Sequence, residues 1–300
     1  MVSSTPVIRT DKLNKFYGRH RGIVDVSLEV DAGEVFGFLG PNGAGKTTTL
    51  RILMDLIRPT RGSAEVFGLH PRDRGPEIRA RTGYLPGELV LYEHMRGEDH
   101  LRFLANLRGL DGSDVGELAE RLGADLSRKV GELSKGNKQK IGLIQAFMGK
   151  RELLILDEPS AGLDPLVQHE VHALVSDASR QGRTVFLSSH NLPEVEALCH
   201  RVAIIREGRL LAVEQIATLK ERALRRLEIH FGSSVSATEF EGLPGVRDVV
   251  SRDGVLRCTV VGDIDAVIKA ATRYKVVNVV SHEPSLEEIF LAFYEDSDDP

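Results

Sequence analysis

Short runs of consecutive apolar residues alternate with helical patterns over the first two thirds of the chain. The runs lie at Val35–Leu39, Leu153–Leu156, Thr184–Leu187 and Val202–Ile205. Strands that are apolar on successive residues are typical of a parallel sheet that is covered on both faces. Strands of this kind with helices between them predict an α/β fold.

Two of the intervening helices have recognisable boundaries. After Lys46, apolar residues recur with the spacing of one helical face as far as Ile57, and a proline follows. The second helix begins at Asp164 and Pro165, an N-cap with a first-turn proline, and its apolar stripe ends before Gly182. Both helices lie between apolar runs, which supports the α/β assignment.

Two further regions depart from this alternation. Residues from about 86 to 150 are mostly helical in pattern, which predicts a helical subdomain inserted into the α/β core. From residue 226 the order becomes β-α-β-β-α-β, with a last helix opening at Glu283–Pro284. The predicted strands there are Arg226–Phe231, Val246–Ser251, Gly254–Val261 and Tyr274–Ser281, and the predicted helices are near 237–241 and at Ile264–Thr272. We therefore predict one domain of residues 1–225 and a small α+β, ferredoxin-like domain of residues 226–300.

The composition narrows the class of protein. Three hundred residues, 41% hydrophobic and 28% charged, suit a folded chain of two domains. A net charge of -5 gives no basic excess for neutralising phosphates, so we expect no nucleic-acid partner. The two cysteines, Cys199 and Cys258, lie in unrelated contexts, which argues against a disulfide framework. We find no signal-peptide pattern and no apolar stretch near the ~20 residues of a membrane helix, so any membrane role is expected to come from a partner.

The segment GPNGAGKT, Gly40–Thr47, matches the phosphate-binding pattern G-x-x-x-x-G-K-[ST] between a buried strand and an amphipathic helix. Its glycines let the backbone turn sharply and present N–H groups to an anion, and the next helix directs its positive end there. Lys46 would add a charge at the β- and γ-phosphates, and the Thr47 hydroxyl can ligate Mg²⁺. The candidate nucleotide-binding residues of this loop are Gly40, Pro41, Asn42, Gly43, Ala44, Gly45, Lys46, Thr47 and Thr48. The loop therefore predicts an NTPase.

Two acidic residues, Asp157 and Glu158, follow the apolar run LLIL. Ligands of open α/β sheets bind at the carboxyl ends of the strands, so both acids are expected beside the phosphate loop. Adjacent residues of a strand point to opposite sides, so the two acids are expected to have different roles. Asp157 is the candidate Mg²⁺ partner, and Glu158 is the candidate general base that orients the attacking water.

With LSKGN at residues 133–137, ahead of LLILDEP, the chain resembles the ATP-binding subunits of ATP-binding-cassette (ABC) transporters. The resemblance implies a P-loop NTPase core of the RecA-like kind that binds ATP and Mg²⁺. It also implies a homodimer in which Ser134 and the N–H groups near Gly136 of one subunit contact ATP held by the other. Lys135 and Asn137 depart from the family's common LSGGQ form, but the serine and Gly136 are retained.

Three shorter matches extend the resemblance. SAGLD, residues 160–164, is similar to the family's D-loop, which implies a role for Asp164 at the dimer contact. His190 lies where the family has a histidine that touches the γ-phosphate. Tyr17 lies where the family has an aromatic residue that stacks on adenine, and Phe16 is an alternative because stacking needs only a flat ring.

One position departs from the family pattern. Gly87, in GYLPGELVLY, stands where the Q-loop of the family has a glutamine that contacts Mg²⁺ or water. Glycine has no side chain for this contact. Either Glu88 reaches in from the next position or water fills the gap, and the sequence leaves both open.

The order of motifs is similar to that of the drug- and antibiotic-export branch, whose ATPases pair with separate ABC-2-type permeases. This implies a peripheral protein at the cytoplasmic face of the membrane that energises export of a drug, antibiotic or other small or lipophilic molecule. The alternatives are an ATPase acting on nucleic acid or ribosomes and an importer ATPase with the same core. The single cassette without sustained heptads argues against the first. The C-terminal ending and the KGN of LSKGN, residues 133–137, which we call the signature segment, favour export over import.

Overall fold

The structure is a computed structural model that describes residues 5–222 and 224–282. Contacts within the chain divide it into two compact units, with the division between Val213 and Glu214. The domain boundary predicted near residue 225 and the predicted limits of the helical subdomain stay predictions. None of the helices within the described ranges is both long enough and apolar enough to cross a membrane.

Strands and helices follow one another along both units. The strands are β1 (Ile8–Tyr17), β2 (His20–Val30), β3 (Val35–Leu39), β4 (Arg61–Val66), β5 (Thr82–Leu85), β6 (Leu153–Asp157), β7 (Thr184–Ser189), β8 (Arg201–Arg206), β9 (Arg209–Gln215), β10 (Leu224–Phe231), β11 (Val246–Arg252), β12 (Val255–Val261) and β13 (Val276–His282). The helices are α1 (Lys46–Leu53), α2 (Pro71–Arg81), α3 (Gly97–Leu107), α4 (Val115–Leu122), α5 (Lys135–Phe147), α6 (Pro165–Arg180), α7 (Leu192–Leu198), α8 (Ile216–Arg222) and α9 (Asp265–Ala271). Single 3₁₀ turns lie at Val130–Glu132 and Ala237–Glu239.

The main sheet of the first unit has the strand order β5-β6-β7-β3-β8-β9. Its first five strands pair in parallel, and every residue of β3, β6 and β7 is buried. The four apolar runs of the sequence are therefore buried parallel strands, as predicted. The fold of this unit is the predicted α/β fold of a P-loop NTPase.

A second, antiparallel sheet of order β2-β1-β4 was not predicted from the sequence. The pairing of β1 with β2 shifts register between Thr10 and Leu13, and Lys12 there has a φ of 42°. Asp25 on β2 likewise has a φ of 51°. Such bulges interrupt the alternation of apolar and polar residues by which a half-buried strand is recognised.

Phenylalanine side chains fill the centre of the first unit. The ring of Phe186 on β7 packs against Phe36 and Phe38 on β3, with centroids 5.6 and 5.5 Å apart. Helix α1 adds Leu50 and Leu53 to this core. The pattern that predicted a helix as far as Ile57 was wrong at its end, because the chain leaves the helix after Leu53 and Ile57 packs on the core from beyond the turn.

Helical structure also follows the predicted capping signals between β5 and β7. The region after β5 contains α3, α4, a 3₁₀ turn and α5 before β6 begins. The carboxylate of Asp164 accepts a hydrogen bond of 3.0 Å from the N–H of Val167, which confirms it as the N-cap of α6. The last helix of this region, α5, contacts β5 and β6 of the main sheet.

The second unit has one antiparallel sheet of order β11-β12-β10-β13. Counted within this unit, the strand order is that of a ferredoxin-like sheet, with the first and third strands at the centre. Its core joins Ile229, Phe231 and Leu256 to Val267 and Ala271 of α9. The helix predicted near residues 237–241 is a single 3₁₀ turn. The helix predicted to open at Glu283–Pro284 lies outside the described residues.

Truncating the central ring of the first unit tests this packing. We expect Phe186→Ala to lower the free energy of unfolding by about 3–5 kcal/mol, because it removes a fully buried ring and leaves a cavity. The measurement is a urea titration followed by circular dichroism. Leu107→Ala is the control, since Leu107 is 67% exposed and its loss is expected to change stability by less than about 0.5 kcal/mol. Equal effects of the two substitutions would contradict the proposed core.

Candidate functional site

The phosphate loop joins the end of β3 at Leu39 to the start of α1 at Lys46. Gly45, just before α1, has a φ of 109°, which side chains other than glycine rarely adopt. A Cβ atom on Gly45 would lie 2.5 Å from Ile23 Cγ2 and 2.9 Å from the carbonyl oxygen of Gly22. A side chain therefore fits neither the conformation nor the space, and the loop lies tightly against the neighbouring backbone.

The ammonium group of Lys46 lies inside this loop. It donates hydrogen bonds to the carbonyl oxygens of Gly40 at 2.6 Å and Pro41 at 3.2 Å. It also lies 3.2 Å from Glu158 Oε1, although Lys46 is only 5% exposed. A buried charge needs such partners, so the fold brings the predicted lysine and the predicted general base together.

A second pair joins the loop to the end of β6. Thr47 Oγ1 donates a hydrogen bond of 2.7 Å to Asp157 Oδ2, and Ser188 Oγ on β7 donates to Asp157 Oδ1. A hydroxyl beside a carboxylate provides the hard oxygen ligands that Mg²⁺ prefers. The residues present therefore fit the predicted metal. Ser188 was missed by the sequence analysis, although its place near the end of the strand beside β6 could have indicated it.

Glu158 is held in place by contacts to its side chain and its backbone. Its Oε2 lies 3.2 Å from His190 Nδ1, a contact between the two candidate catalytic residues that the sequence analysis did not predict. Glu158 has a φ of 50°, and its N–H donates to the backbone oxygen and the hydroxyl of Ser188, each at 3.2 Å. Gln139 on α5 donates from Nε2 to the Pro159 carbonyl oxygen at 3.2 Å and to that of Glu158 at 3.5 Å. No sequence signal pointed to Gln139, because its role depends on how α5 packs.

Lys46, Thr47 and Glu158 border an open cleft of about 240 Å³, whereas Asp157 and His190 are not among its lining residues. It is lined by Tyr17, Arg21, Gly22, Asn42, Gly43, Gly45, Lys46, Thr47, Thr48 and Glu158. Tyr17 lies at this cleft and packs over Gly22, whereas Phe16 is not among the lining residues. The geometry thus favours Tyr17 of the two candidate aromatic residues. Arg21 is a cationic lining residue that the sequence analysis missed.

A larger cleft, of about 680 Å³, lies between the end of α1 and the start of α2. It is lined by Asp55, Arg58, Thr60 and His70 among other residues, and none of its lining residues belongs to the phosphate loop. We therefore place the chemistry at the smaller cleft, where the candidate base and the lysine meet.

The remaining predicted residues lie elsewhere on the same unit. Ser134 Oγ accepts a hydrogen bond of 3.2 Å from the N–H of Asn137 and so caps α5. The side chain of Asn137 bonds both the N–H and the carbonyl of Asp125, at 2.9 and 2.8 Å. A Cβ on Gly136 would lie 3.5 Å from the Gly162 oxygen, so the signature segment and the D-loop are neighbours. Among the described residues, Ser134, Gly136 and Asp164 do not line the cleft beside Lys46.

At the Q-loop position the backbone, and not a side chain, lies beside Asp157. A Cβ atom on Gly87 would lie 2.9 Å from Asp157 Oδ2, so the backbone of the loop passes close to the carboxylate. Glu88 is 88% exposed and pairs with Arg51 at 3.5 Å. Its side chain therefore does not take the place of the glutamine.

A phosphate loop after a central strand of a parallel sheet, with two acids at the end of the strand two places away, is the arrangement of a P-loop NTPase. The family model described as ABC transporter matches residues 23–161. The bacitracin transport ATP-binding protein BcrA of Bacillus licheniformis is 37% identical over 257 residues, which cover 84% of each chain. A fluoroquinolones export ATP-binding protein of Mycobacterium tuberculosis is 32% identical over 96% of this chain and 93% of its own.

A solved structure of the ATP-binding subunit of an ABC transporter agrees with these relatives. It superposes with a TM-score of 0.66 and 32% identity and covers 71% of this chain and 92% of its own. The chain belongs to the ABC transporter family, as an ATP-binding subunit that hydrolyses ATP. ATPases of this family dimerise and pair with transmembrane permeases.

The two neighbouring aromatic residues provide a matched test of the adenine contact. We expect Tyr17→Ala to weaken binding of a fluorescent ATP analogue about tenfold, because loss of one base-stacking ring costs about 1–3 kcal/mol. Phe16→Ala is the control and is expected to leave the affinity unchanged, because Phe16 does not line the cleft. A larger loss for Phe16→Ala than for Tyr17→Ala would reverse the assignment.

Proposed function

We propose that two copies of this chain close on two molecules of MgATP, and that hydrolysis drives export through a separate ABC-2-type permease. In this proposal residues 1–225 are the nucleotide-binding domain, with a helical subdomain at about 86–150, and residues 226–300 are an accessory domain. The observation that carries the proposal is the position of Glu158, whose two carboxylate oxygens lie 3.2 Å from Lys46 and from His190. That position suits a base acting beside a bound γ-phosphate.

The residues of the cleft suit both ends of an ATP molecule, the phosphates and the adenine. Backbone N–H groups of the phosphate loop and the ammonium of Lys46 would bind the phosphates, and Tyr17 would stack on adenine. Lys46 would exchange its contact with Glu158 for one with the γ-phosphate, which frees the carboxylate. Thr47 and Asp157 would hold Mg²⁺, which supplies positive charge against the phosphate oxygens.

Hydrolysis then depends on the orientation of Glu158. The carboxylate would accept a proton from the attacking water, and His190 would hold Glu158 on one side and contact the γ-phosphate on the other. Ser134, Gly136 and Asp164 do not line the cleft of their own chain, which supports their use at the cleft of the second copy. Ser134 and Gly136 lie at the start of α5, whose N–H groups suit an anion.

Export of a small or lipophilic molecule is supported by the relatives named above, which are ATP-binding proteins of bacitracin transport and of fluoroquinolone export. An apolar patch on the helical region suits contact with a permease. We assign to it the exposed residues Val90, Tyr92, Phe103 and Leu107, of which Tyr92 and Phe103 have ring centroids 5.5 Å apart. We place the protein peripherally at the cytoplasmic face of the membrane, and the net charge of -5 supports a role without nucleic acid.

Replacing the candidate base separates binding from turnover. We expect Glu158→Gln to retain ATP affinity and lose at least about a hundredfold in kcat, because the amide cannot accept the proton of water. The ATP-bound dimer should then accumulate and be visible by size-exclusion chromatography. Glu88→Gln is the control and should retain full turnover, since Glu88 is exposed and pairs only weakly with Arg51. Undiminished ATPase activity in Glu158→Gln would refute the assigned role.

Coupling to a permease is tested with the patch of Val90, Tyr92, Phe103 and Leu107. We expect the chain to copurify with the membrane protein of an adjacent reading frame and its ATPase activity to rise when a transported drug is added. Val90→Asp should reduce copurification at least about tenfold without changing basal ATPase activity, because it places a charge in an apolar contact. Val250→Asp, at an exposed valine of the second unit, is the control. Normal copurification of Val90→Asp would exclude this surface.

A further inference from the structure

Glu194 is a buried carboxylate to which none of the roles above assigns a function. It lies on α7 and is only 5% exposed. Its Oε1 accepts a hydrogen bond from Ser160 Oγ, and its Oε2 accepts one from Ser189 Oγ. His172 Nε2 on α6 lies 3.8 Å from Oε1. Four separate segments of the chain therefore meet at this one group.

The two serines are placed next to the two candidate groups of hydrolysis. Ser160 follows Glu158 by two residues, and Ser189 directly precedes His190. Glu158 Oε2 lies 3.2 Å from His190 Nδ1, and Glu158 lines the cleft. Glu194 thus joins the same two segments a second time, through Ser160 and Ser189.

Helix α7 gives Glu194 a fixed position against the main sheet. A Cβ atom on Gly37 of β3 would lie 2.9 Å from Cys199 Sγ and 3.0 Å from Val195 Cγ1. The helix is therefore packed directly on the backbone of β3, with Val195 fully buried. Its first turn is capped by Asn191, whose Oδ1 accepts from the N–H of Glu194 at 3.4 Å. A side chain on such a helix can serve as a rigid reference point.

The charge of Glu194 determines how the serines are held. Burial raises the pKa of its carboxyl, but the nearby His172 imidazole and the hydrogen bonds from Ser160 and Ser189 together outweigh burial and lower the pKa below its ordinary value. The group is therefore ionised near neutral pH. An ionised carboxylate only accepts hydrogen bonds, so both hydroxyls must point towards it.

We propose that Glu194 is a positioning residue for ATP hydrolysis, which sets the geometry of Glu158 and His190 through Ser160 and Ser189. The inference rests on the proposed roles of Glu158 and His190. The alternative to a positioning role is that Glu194 belongs to a buried polar cluster that stabilises the fold and has no effect on turnover. The two differ in what a conservative change does to kcat at unchanged ATP affinity, because small misplacements of reacting groups act on the chemical step.

The test is steady-state ATPase kinetics of the full chain with Glu194→Gln. We expect kcat to fall about tenfold while KM for ATP changes less than about twofold, because the amide keeps the shape but cannot accept from both serines. Ser160→Ala should lower kcat about threefold. The double variant should be no slower than Glu194→Gln alone, since residues of one network are not additive. Should Glu194→Gln fail to fold, full kcat in Ser160→Ala would by itself overturn the proposal.

Glu34→Gln is the matched control. Glu34 is also a largely buried glutamate, paired with Arg201 at 3.0 Å, but it precedes β3 and so lies at the opposite end of that strand from the phosphate loop. It should change the melting temperature without changing kcat. Unchanged kcat in Glu194→Gln, or strictly additive losses in the double variant, would overturn the positioning role.

Glu158→Gln, measured beside these variants, distinguishes the role of Glu158 as base from the role of Glu194 as a positioning residue. If Glu158→Gln turns over normally, the proposed function fails at its base. If Glu158→Gln is inactive and Glu194→Gln has full kcat, only the role of Glu194 fails.

Discussion

The geometry of the site depends on the carboxylate of Asp157, which links the phosphate loop to the end of β6 by hydrogen bonds. One of its oxygens accepts from Thr47 at the start of α1, and the other accepts from Ser188 on β7. Strand β7 lies between β6 and β3, so the acids and the phosphate loop are attached to strands two places apart, or about 10 Å. Backbone pairing cannot join positions at that distance. The side chains of Asp157, Thr47 and Ser188 do so instead, which makes the loop and the acids one rigid group.

The direction of Glu158 follows from the same end of β6. A residue that simply continued the strand would point away from Asp157, and the left-handed φ of 50° redirects the chain at this position. Such a conformation costs on the order of 1–3 kcal/mol outside glycine, and it persists only where the surroundings hold it. Ser188 holds the N–H of Glu158, and Gln139 holds the carbonyl groups that follow. Local strain is thus offset by α5 and β7, and the carboxylate faces Lys46.

The sequence predicted what depends on local patterns. The phosphate loop, the cap at Asp164 and the buried strands could be read because spacing and residue type determine them directly. Ser188 and Gln139 could not, because their contacts arise only once β7 lies beside β6 and α5 packs on the sheet. Bulges in β1 and β2 interrupt the alternation by which the antiparallel sheet could have been predicted. The helix predicted near residues 237–241 is a single 3₁₀ turn, because so short a segment has no periodicity that distinguishes a turn from a helix.

The glycine at position 87 shows how a missing side chain is accommodated. Its backbone lies so near Asp157 that a Cβ atom would be 2.9 Å from the carboxylate. Two residues on, Leu89 packs against α5 so closely that a Cβ on Gly142 would lie 2.6 Å from Leu89 Cδ2. The loop therefore touches the acidic end of β6 on one side and the helix that begins with the signature segment on the other. Since both contacts are close packing without a hydrogen-bonding side chain at position 87, a shift of Asp157 would be transmitted to α5 by steric displacement of the loop, which packed interiors transmit well.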